Sequence, residues 1–195
     1  MKNNQNGRSM VEMLGVLAII GVLSAGGLAG YSKAMFKHKL NATMDQITML
    51  VTSIRAMYGQ SSYAKLDNTA AVSLGIVPPV MGTTASLTNP FKGAVTIDGK
   101  EAKAKSDAAV GTAFTIKYEG LPKEACIALA TADFGSGAGS GFIGVDIAAA
   151  STVYIGDART VNEGAVTKRG EGYAYTMKDA IATCAEPSTI VWKFY

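Results

Sequence analysis

An apolar run dominates the amino-terminal part of the chain, whereas the rest of the sequence is polar enough to fold in water. The run extends from Met10 to Tyr31 with one acidic residue, Glu12, and residues 13–32 carry no charged side chain. Twenty residues of α-helix rise about 30 Å, the thickness of the hydrocarbon core of a bilayer. The run therefore predicts a membrane-length helix. Glu12 is its unusual feature, because a carboxylate in such a segment is costly and usually has a partner.

The helix is predicted to continue beyond the apolar run. After Lys33 the apolar positions recur at steps of three and four residues, which indicates one face of an amphipathic helix. These positions are Phe36, Leu40, Met44, Ile47, Val51, Ile54 and Tyr58. Gly59 follows as a C-cap, so one helix of about 75 Å is expected from about Ser9 to Tyr58. The stripe lasts only about three heptads, which favours packing on a sheet over a coiled coil.

The remaining sequence alternates between short strand-like and helix-like segments. Residues 60–90 are predicted to be irregular apart from a helical piece at Tyr63–Leu66, because Pro78-Pro79 and Asn89-Pro90 interrupt regular structure. The predicted strands cover residues 94–98, 113–118, 142–147, 152–155 and 189–195, and the predicted helices cover 123–132 and 177–185. The first two strands are expected to pair antiparallel. The fold class is α+β, with the long amino-terminal helix packed on an antiparallel sheet.

Three interpretations of the amino-terminal run are open. A secretory signal peptide has a shorter apolar core, and here the helical pattern continues past the small residues Ser24-Ala25-Gly26. A plain single-span anchor fits the length but explains neither Glu12 nor Gly7. The third interpretation rests on the string Gly7-Arg8-Ser9-Met10-Val11-Glu12, which an apolar segment follows. This string resembles the amino-terminal signature of type IV pilins, a short basic leader ending in Gly before an apolar segment whose fifth residue is Glu.

The resemblance implies specific processing of the chain. A membrane-embedded prepilin peptidase would cut between Gly7 and Arg8, and the new amino terminus at Arg8 would be methylated. Glu12 would become the fifth residue of the mature chain. Arg8 departs from the family pattern, since relatives usually have Phe, Met or Leu there. The implied domains are a leader at 1–7, a transmembrane and assembly half of the long helix at 8–32, an amphipathic half at 33–59, and a globular pilin region at 60–195.

Glu12 has a physical role in such a fibre. When many of these helices leave lipid and pack side by side, each carboxylate must meet a cation, and the free amino terminus of a neighbouring subunit lies at the right depth. Arg8 and Glu12 are also four residues apart on one helix, in the weaker order for an ion pair. The alternative is that Glu12 lies at the headgroup boundary and interacts favourably with the positive end of the helix dipole.

Composition and residue types argue against catalysis. The net charge of +3 is small and spread out, which excludes a nucleic-acid footprint. The single histidine, His38, lies between two lysines beside the apolar run, where a solvated or headgroup-facing role is favoured. The glycine-rich stretch 135–141 lacks the GxGxxG spacing and is interpreted as a linker. No cofactor, metal site or enzymatic activity is predicted. Three aspartates beside glycines are expected in turns: Asp133, Asp146 and Asp157. Three tyrosines are expected in core or edge positions rather than in a ligand-binding surface patch: Tyr154, Tyr173 and Tyr175.

The two cysteines, Cys126 and Cys184, lie far apart in sequence without a CxxC motif. On the outer side of a membrane they are predicted to form a disulfide worth about 4 kcal/mol, with two buried free thiols as the alternative. Pilins of the type IVb group are similar, because a large region between two cysteines forms much of their exposed filament surface and their last strand is terminal. Pilins of conjugative thin pili show a weaker resemblance through the Asn89-Pro90-Phe91 stretch and the aromatic carboxy terminus.

The resulting hypothesis is a structural pilus subunit. It would be inserted once in the inner membrane, in contact with lipid, and then be polymerised by the inner-membrane pilus assembly machinery into an extracellular helical homopolymer that serves adhesion, motility, or DNA or conjugative contact. The resemblance implies an inside amino terminus, although the lysines at 33, 37 and 39 favour the reverse orientation by charge counting. The alternatives are a type II secretion pseudopilin and, from another class, a single-span periplasmic binding module.

Overall fold

The computed structural model describes residues 10–59, 61–100, 109, 111–134, 141–148 and 175–195. Its residues group into two compact units, and the boundary between them falls between Lys39 and Leu40. Helix α1 (Met10–Tyr58) contributes to both units. The unit Leu40–Tyr195 is called the head below. The predicted strand 152–155 lies outside the described residues.

Helix α1 confirms the predicted long helix. The described part of the helix runs from Met10, and the expected start at Ser9 lies outside the described residues. The helix ends at Tyr58, where Gly59 adopts a φ of 47° and its N–H donates to the carbonyl of Arg55 at 2.8 Å. Glycine tolerates this left-handed conformation, so Gly59 terminates the helix as the sequence indicated.

The buried stripe of α1 is displaced from the predicted one. Its fully buried members in the head are Thr43, Ile47, Leu50 and Ile54. The predicted positions Leu40, Met44, Val51 and Tyr58 pack partly buried along its sides. The reason is geometric: positions 43, 47, 50 and 54 form their own row at steps of four, three and four residues. Thr43 and Leu50 belong to this buried row, and neither is in the predicted stripe.

The connection after α1 is more regular than predicted. A short 3-10 helix at Tyr63–Lys65 confirms the expected helical piece. It is followed by helix α2 (Asn68–Ser73), a second 3-10 helix (Pro79–Met81) and the two-residue strand β1 (Leu87–Thr88), none of which was predicted. Asp67 caps α2, its Oδ1 accepting from the N–H of Ala70 at 2.8 Å.

Within the described residues, the head contains a five-stranded antiparallel sheet in the order β1-β2-β3-β5-β4. The other strands are β2 (Ala94–Asp98), β3 (Phe114–Leu121), β4 (Phe142–Ala148) and β5 (Ser188–Phe194). The predicted antiparallel pairing of the first two long strands is confirmed, with Ile97 opposite Ile116. Ile116 in turn lies opposite Trp192, which places the only tryptophan at the centre of the sheet.

Strand β5 confirms the strand predicted at residues 189–195, and it lies in the interior of the sheet. All seven residues of β5 are buried, Lys193 included, and the strand lies between β3 and β4. Because successive side chains of a strand point to opposite faces, both faces of β5 are covered. The carboxy-terminal strand is therefore central to the sheet.

Two short helices flank the sheet segments. Helix α3 (Lys123–Ala130) and helix α4 (Met177–Thr183) confirm the predicted helices, but both end two residues early. The hydroxyl of Thr131 donates to the carbonyl of Ile127 at 2.9 Å, a side-chain bond at the end of α3. Cys184 was expected inside α4; it instead caps the helix in an extended conformation.

Candidate functional site

The amino-terminal part of α1 exposes a long apolar surface. We call Met10–Ser32 the assembly segment. Its large apolar side chains are exposed, from Ile20 at 52% to Met10 at 84%. By length and composition the helix could cross a membrane. An apolar surface of this extent marks a contact with lipid or with another protein, because monomeric soluble proteins rarely expose such patches.

Glu12 lies in the first turn of α1 and its side chain is exposed. A carboxylate at this position interacts favourably with the positive end of the helix dipole. Gly7 and Arg8, the predicted cleavage and methylation positions, lie outside the described residues, as does the predicted Arg8–Glu12 pair. Among the residues that the structure describes, Glu12 is the only acidic side chain of the assembly segment.

The glycines of the assembly segment are not required by packing within the chain. A Cβ atom added at any of the five would meet nothing within 4 Å. These residues are Gly15, Gly21, Gly26, Gly27 and Gly30. Each lowers the helix propensity by about 1 kcal/mol relative to Ala. Close approach of neighbouring helices is the advantage that glycine offers in return.

The predicted disulfide is present. Cys126 in α3 is bonded to Cys184 at the end of α4, with the two Cα atoms 5.9 Å apart and a sequence separation of 58. Both sulfur-bearing residues belong to the hydrophobic core of the head, where Cys126 is fully buried. The bond therefore ties α3 to the segment that enters the central strand β5.

Arg55 fastens the end of the chain to α1, a contact that the sequence analysis missed. Its Nη2 donates to the main-chain oxygen of Tyr195 at 2.8 Å, and its guanidinium carbon lies 5.9 Å from the centre of the Phe194 ring. Tyr195 also donates its N–H to the carbonyl of Gly141 at 2.9 Å. The only signal in the sequence was a cation in the last turn of a helix, which does not identify its partner.

Two asparagines, the half-buried Asn68 and the buried Asn89, form hydrogen bonds at the β1–β2 edge of the sheet. The amide nitrogen of Asn68 donates to the carbonyl of Val95 at 2.9 Å, and its oxygen accepts from the N–H of Ile97 at 2.7 Å. The side chain thus takes the place of a neighbouring strand. Asn89 is buried, and its oxygen accepts from the N–H groups of Phe91 and Gly93. The Asn-Pro turn signalled Asn89, but no local pattern signalled Asn68.

The titratable groups that the structure describes are spread over the fold. Within the described ranges no three His, Cys, Asp or Glu side chains are grouped so as to hold a metal. Asp146 was expected in a turn; this was wrong, since it lies in β4, where burial raises the pKa of its carboxyl. The hydroxyl of Tyr175 lies 3.4 Å from Asp146 Oδ1, and Tyr175 is buried, as expected of a core position. His38 and Asp133 are exposed, whereas Tyr154, Asp157 and Tyr173 lie outside the described residues.

Known proteins match most of the chain. A family model described as Bundlin matches residues 33–185. The major structural subunit of bundle-forming pilus from Escherichia coli O127:H6 (strain E2348/69 / EPEC) is 29% identical over 140 residues, covering 70% of this chain and 69% of that protein. The subunit of the same name from Escherichia coli O111:H- has the same identity and coverage. Both relatives are structural subunits rather than enzymes.

Two solved structures are similar to the chain at low sequence identity. The type IV b pilin from Salmonella typhi has a TM-score of 0.47 and 19% identity, covering 78% of this chain and 97% of that one. TcpA, a type IV pilin from Vibrio cholerae El Tor biotype, has a TM-score of 0.49 and 18% identity, covering 81% and 99%. The family match extends over more than half of the chain. The chain therefore belongs to the Bundlin family.

Proposed function

We propose that this chain is the major subunit of a bundle-forming type of pilus. It is held in the inner membrane by the assembly segment until it joins a helical homopolymer outside the cell. The names of its two relatives support the assignment as a major structural subunit. The function is association between copies, not catalysis.

The observation that carries the proposal is the unequal burial along α1. Leu50, in the head, is completely buried, whereas Leu23, in the assembly segment, is 69% exposed. Covering an exposed side chain of this size contributes about 1.5–3 kcal/mol. The head is closed by its own core and disulfide, but the assembly segment needs lipid or other copies of itself to cover its surface.

Glu12 would set the axial step between subunits. The helices leave lipid for neighbouring helices, and the carboxylate of one copy then pairs with the amino terminus of the next. A pair of this kind stabilises one relative height of two neighbouring helices, because any other height leaves a charge uncompensated in an apolar bundle. The five glycines would allow the helices to approach closely enough for this contact.

Processing by a prepilin peptidase between Gly7 and Arg8 is part of the proposal. The cut would create the amino terminus that pairs with Glu12. Mass spectrometry of the chain purified from its native cells tests it directly. We expect a mature chain that starts at Arg8 and carries one methyl group on its amino terminus. A chain that retains residues 1–7 in the fibre would contradict this part of the proposal.

The structural function itself is tested by electron microscopy of filaments sheared from the cell surface. Antibodies against the head should decorate the filaments along their whole length, since a major subunit contributes every repeat. Decoration at the tips alone would indicate a minor subunit. Recovery of the protein only as a membrane-bound monomer would favour the single-span binding module, and fibres too short to leave the envelope would favour the pseudopilin.

A further inference from the structure

A pair of lysines follows the assembly segment at a defined depth. Residues 13–32 are uncharged and span about 30 Å as a helix, which matches the hydrocarbon core. The headgroup layers extend the bilayer to about 40–45 Å, or roughly 5–8 Å on each side. Lys33 is the first charged residue beyond the core, and Lys37 lies about 6 Å further along the helix. Both ammonium groups therefore fall within one headgroup layer.

The two lysines share one face of α1. They are separated by four residues, and the Cα–Cβ bonds of a helix tilt towards its amino terminus, here towards the lipid. Both residues are exposed. Gly30 precedes Lys33 by three residues on the same face, and a Cβ added there would meet nothing within 4 Å, so the space beside the lysine pair is open.

Negative charge is absent from this part of the chain. The nearest acidic residues in sequence are Glu12 and Asp45, on either side of a stretch of 32 residues that contains none. Within the described part of the chain no carboxylate forms an ion pair with Lys33 or Lys37. The anion that neutralises these two adjacent ammonium groups must therefore come from outside this stretch of the chain.

Neighbouring residues have the character of a membrane interface. Tyr31 is 65% exposed and stands at the end of the uncharged run, where amphipathic rings are enriched in membrane proteins. The hydroxyl of Ser32 donates to the carbonyl of Ala29 at 3.0 Å, so this donor is satisfied inside the helix and can lie next to lipid without an unmet hydrogen bond.

We propose that Lys33 and Lys37 bind the phosphate of an anionic phospholipid, such as phosphatidylglycerol, in the leaflet where α1 leaves the membrane. The pair then fixes the depth of the subunit in the membrane. The assembly segments of neighbouring copies therefore lie at the same height before polymerisation. This inference rests on the membrane insertion in the proposed function. It explains why basic residues follow the apolar run on the side where the positive-inside rule disfavours them.

Native mass spectrometry of the full chain tests the site. The purified protein, with its disulfide intact, is placed in neutral detergent with equal amounts of dioleoyl phosphatidylglycerol and dioleoyl phosphatidylcholine. We expect wild type to retain the anionic lipid preferentially. The ratio of retained anionic to zwitterionic lipid should fall roughly 5- to 30-fold in Lys33→Gln/Lys37→Gln, because each lysine near an anionic surface adds about one fivefold step. Lys33→Arg/Lys37→Arg should keep the preference.

The matched control is Lys65→Gln/Lys178→Gln, which removes the same charge from two exposed positions of the head. It should leave the lipid ratio unchanged. An unchanged ratio in Lys33→Gln/Lys37→Gln, or an equal loss in the control, would overturn the site. An unchanged lipid ratio accompanied by loss of fibres would also overturn the site. It would indicate that the two lysines pair with acidic residues of a second copy instead of with lipid. Extraction of wild type from membranes at alkaline pH would overturn both this inference and the proposed insertion.

Discussion

Helix α1 is one continuous element with two different surroundings. In the head, its residues Ile47, Leu50 and Ile54 have no exposed surface. In the assembly segment, Val22 and Leu28 are 75% and 70% exposed, although their side chains are equally apolar. Local helix propensity does not explain the difference, since the assembly segment contains five glycines and is still helical. The contrast lies in what each part has to pack against.

This contrast separates two kinds of stability within one chain. The head has a core, a central strand buried on both faces and a disulfide, so it can be folded before assembly. The free energy available from covering the assembly segment is not used by the head and remains for lipid or for neighbouring copies. A change in one region should therefore alter folding and a change in the other should alter association.

Removal of the disulfide should have the largest effect on the head. Cys126→Ala/Cys184→Ala opens a loop of 58 residues and should lower the free energy of unfolding by about 4 kcal/mol. Chemical denaturation followed by the fluorescence of Trp192, the buried and only tryptophan, measures the loss. Equal stability of the reduced and oxidised wild-type protein would contradict a bracing role for this bond.

A pair of leucine substitutions compares the two regions directly. Leu50→Ala should lower the free energy of unfolding of the head by about 3 kcal/mol, because it removes a fully buried side chain. Leu23→Ala makes the same chemical change at an exposed position and should leave the unfolding curve unchanged. Equal destabilisation by both substitutions would show that the assembly segment is part of the head's folding unit.

Two glycines of the sheet region test the Arg55 contact. Gly141 has a φ of 67°, and an added Cβ would collide with the Arg55 guanidinium and lie 2.6 Å from the main-chain oxygen of Tyr195. Gly141→Ala should therefore cost about 2–3 kcal/mol. In Gly144→Ala the added Cβ meets nothing within 4 Å, so this control should be neutral or slightly stabilising. Similar thermal midpoints for the two variants would contradict the described geometry.

The smallest change in stability is expected for the ion pair between Lys100 and Asp67, the N-cap residue of α2. The contribution of Asp67 depends on pH. Lys100 Nζ lies 2.8 Å from Asp67 Oδ2, and this hydrogen bond, with that from the Ala70 N–H, holds the pKa of Asp67 below its ordinary value. Because the pKa of Asp67 is lower in the folded state, its ionised carboxylate contributes to the free energy of unfolding above the unfolded-state pKa of about 4. This contribution is lost as the pH falls through the folded-state pKa. Asp67→Ala should cost about 1 kcal/mol at pH 7, mainly through the lost cap.

The difference between wild type and Asp67→Ala should shrink progressively below about pH 4. Lys100→Ala keeps the cap but removes the exposed pair, so it should have a smaller effect at pH 7 than Asp67→Ala. Denaturation curves at several pH values measure both. A gap between wild type and Asp67→Ala that stays constant down to pH 2 would mean that ionisation of Asp67 does not contribute to stability.

The elements that the sequence predicts well are those with a local signal. The carboxy-terminal end of α1 follows from its periodicity and from Gly59, and β2 and β3 follow from their alternation beside turn residues. The cysteine pair could be predicted because two isolated cysteines in an oxidising compartment have few other roles. For the candidate site, the uncharged run and Glu12 could be read directly from the order of residues.

Other features depend on where distant segments meet. Arg55 contacts residues 140 positions away, and Asn68 replaces a strand along an edge that forms only when the sheet is assembled. The central position of β5 could not be read from its alternation, because burial of both faces is decided by its neighbours. The displaced stripe of α1 has the same origin, since the sheet determines which row of the helix it covers.

The central claim is that a second copy of the chain neutralises Glu12. The most direct test measures the yield of sheared fibres per membrane-inserted subunit in Glu12→Ala. The control is Glu124→Ala, which also removes an acidic residue from the first turn of a helix, but in α3 of the head. We predict that Glu12→Ala is inserted and has an unchanged thermal midpoint for the head, but loses most of its fibre yield, whereas Glu124→Ala assembles normally. Wild-type fibre yield from Glu12→Ala would contradict the account.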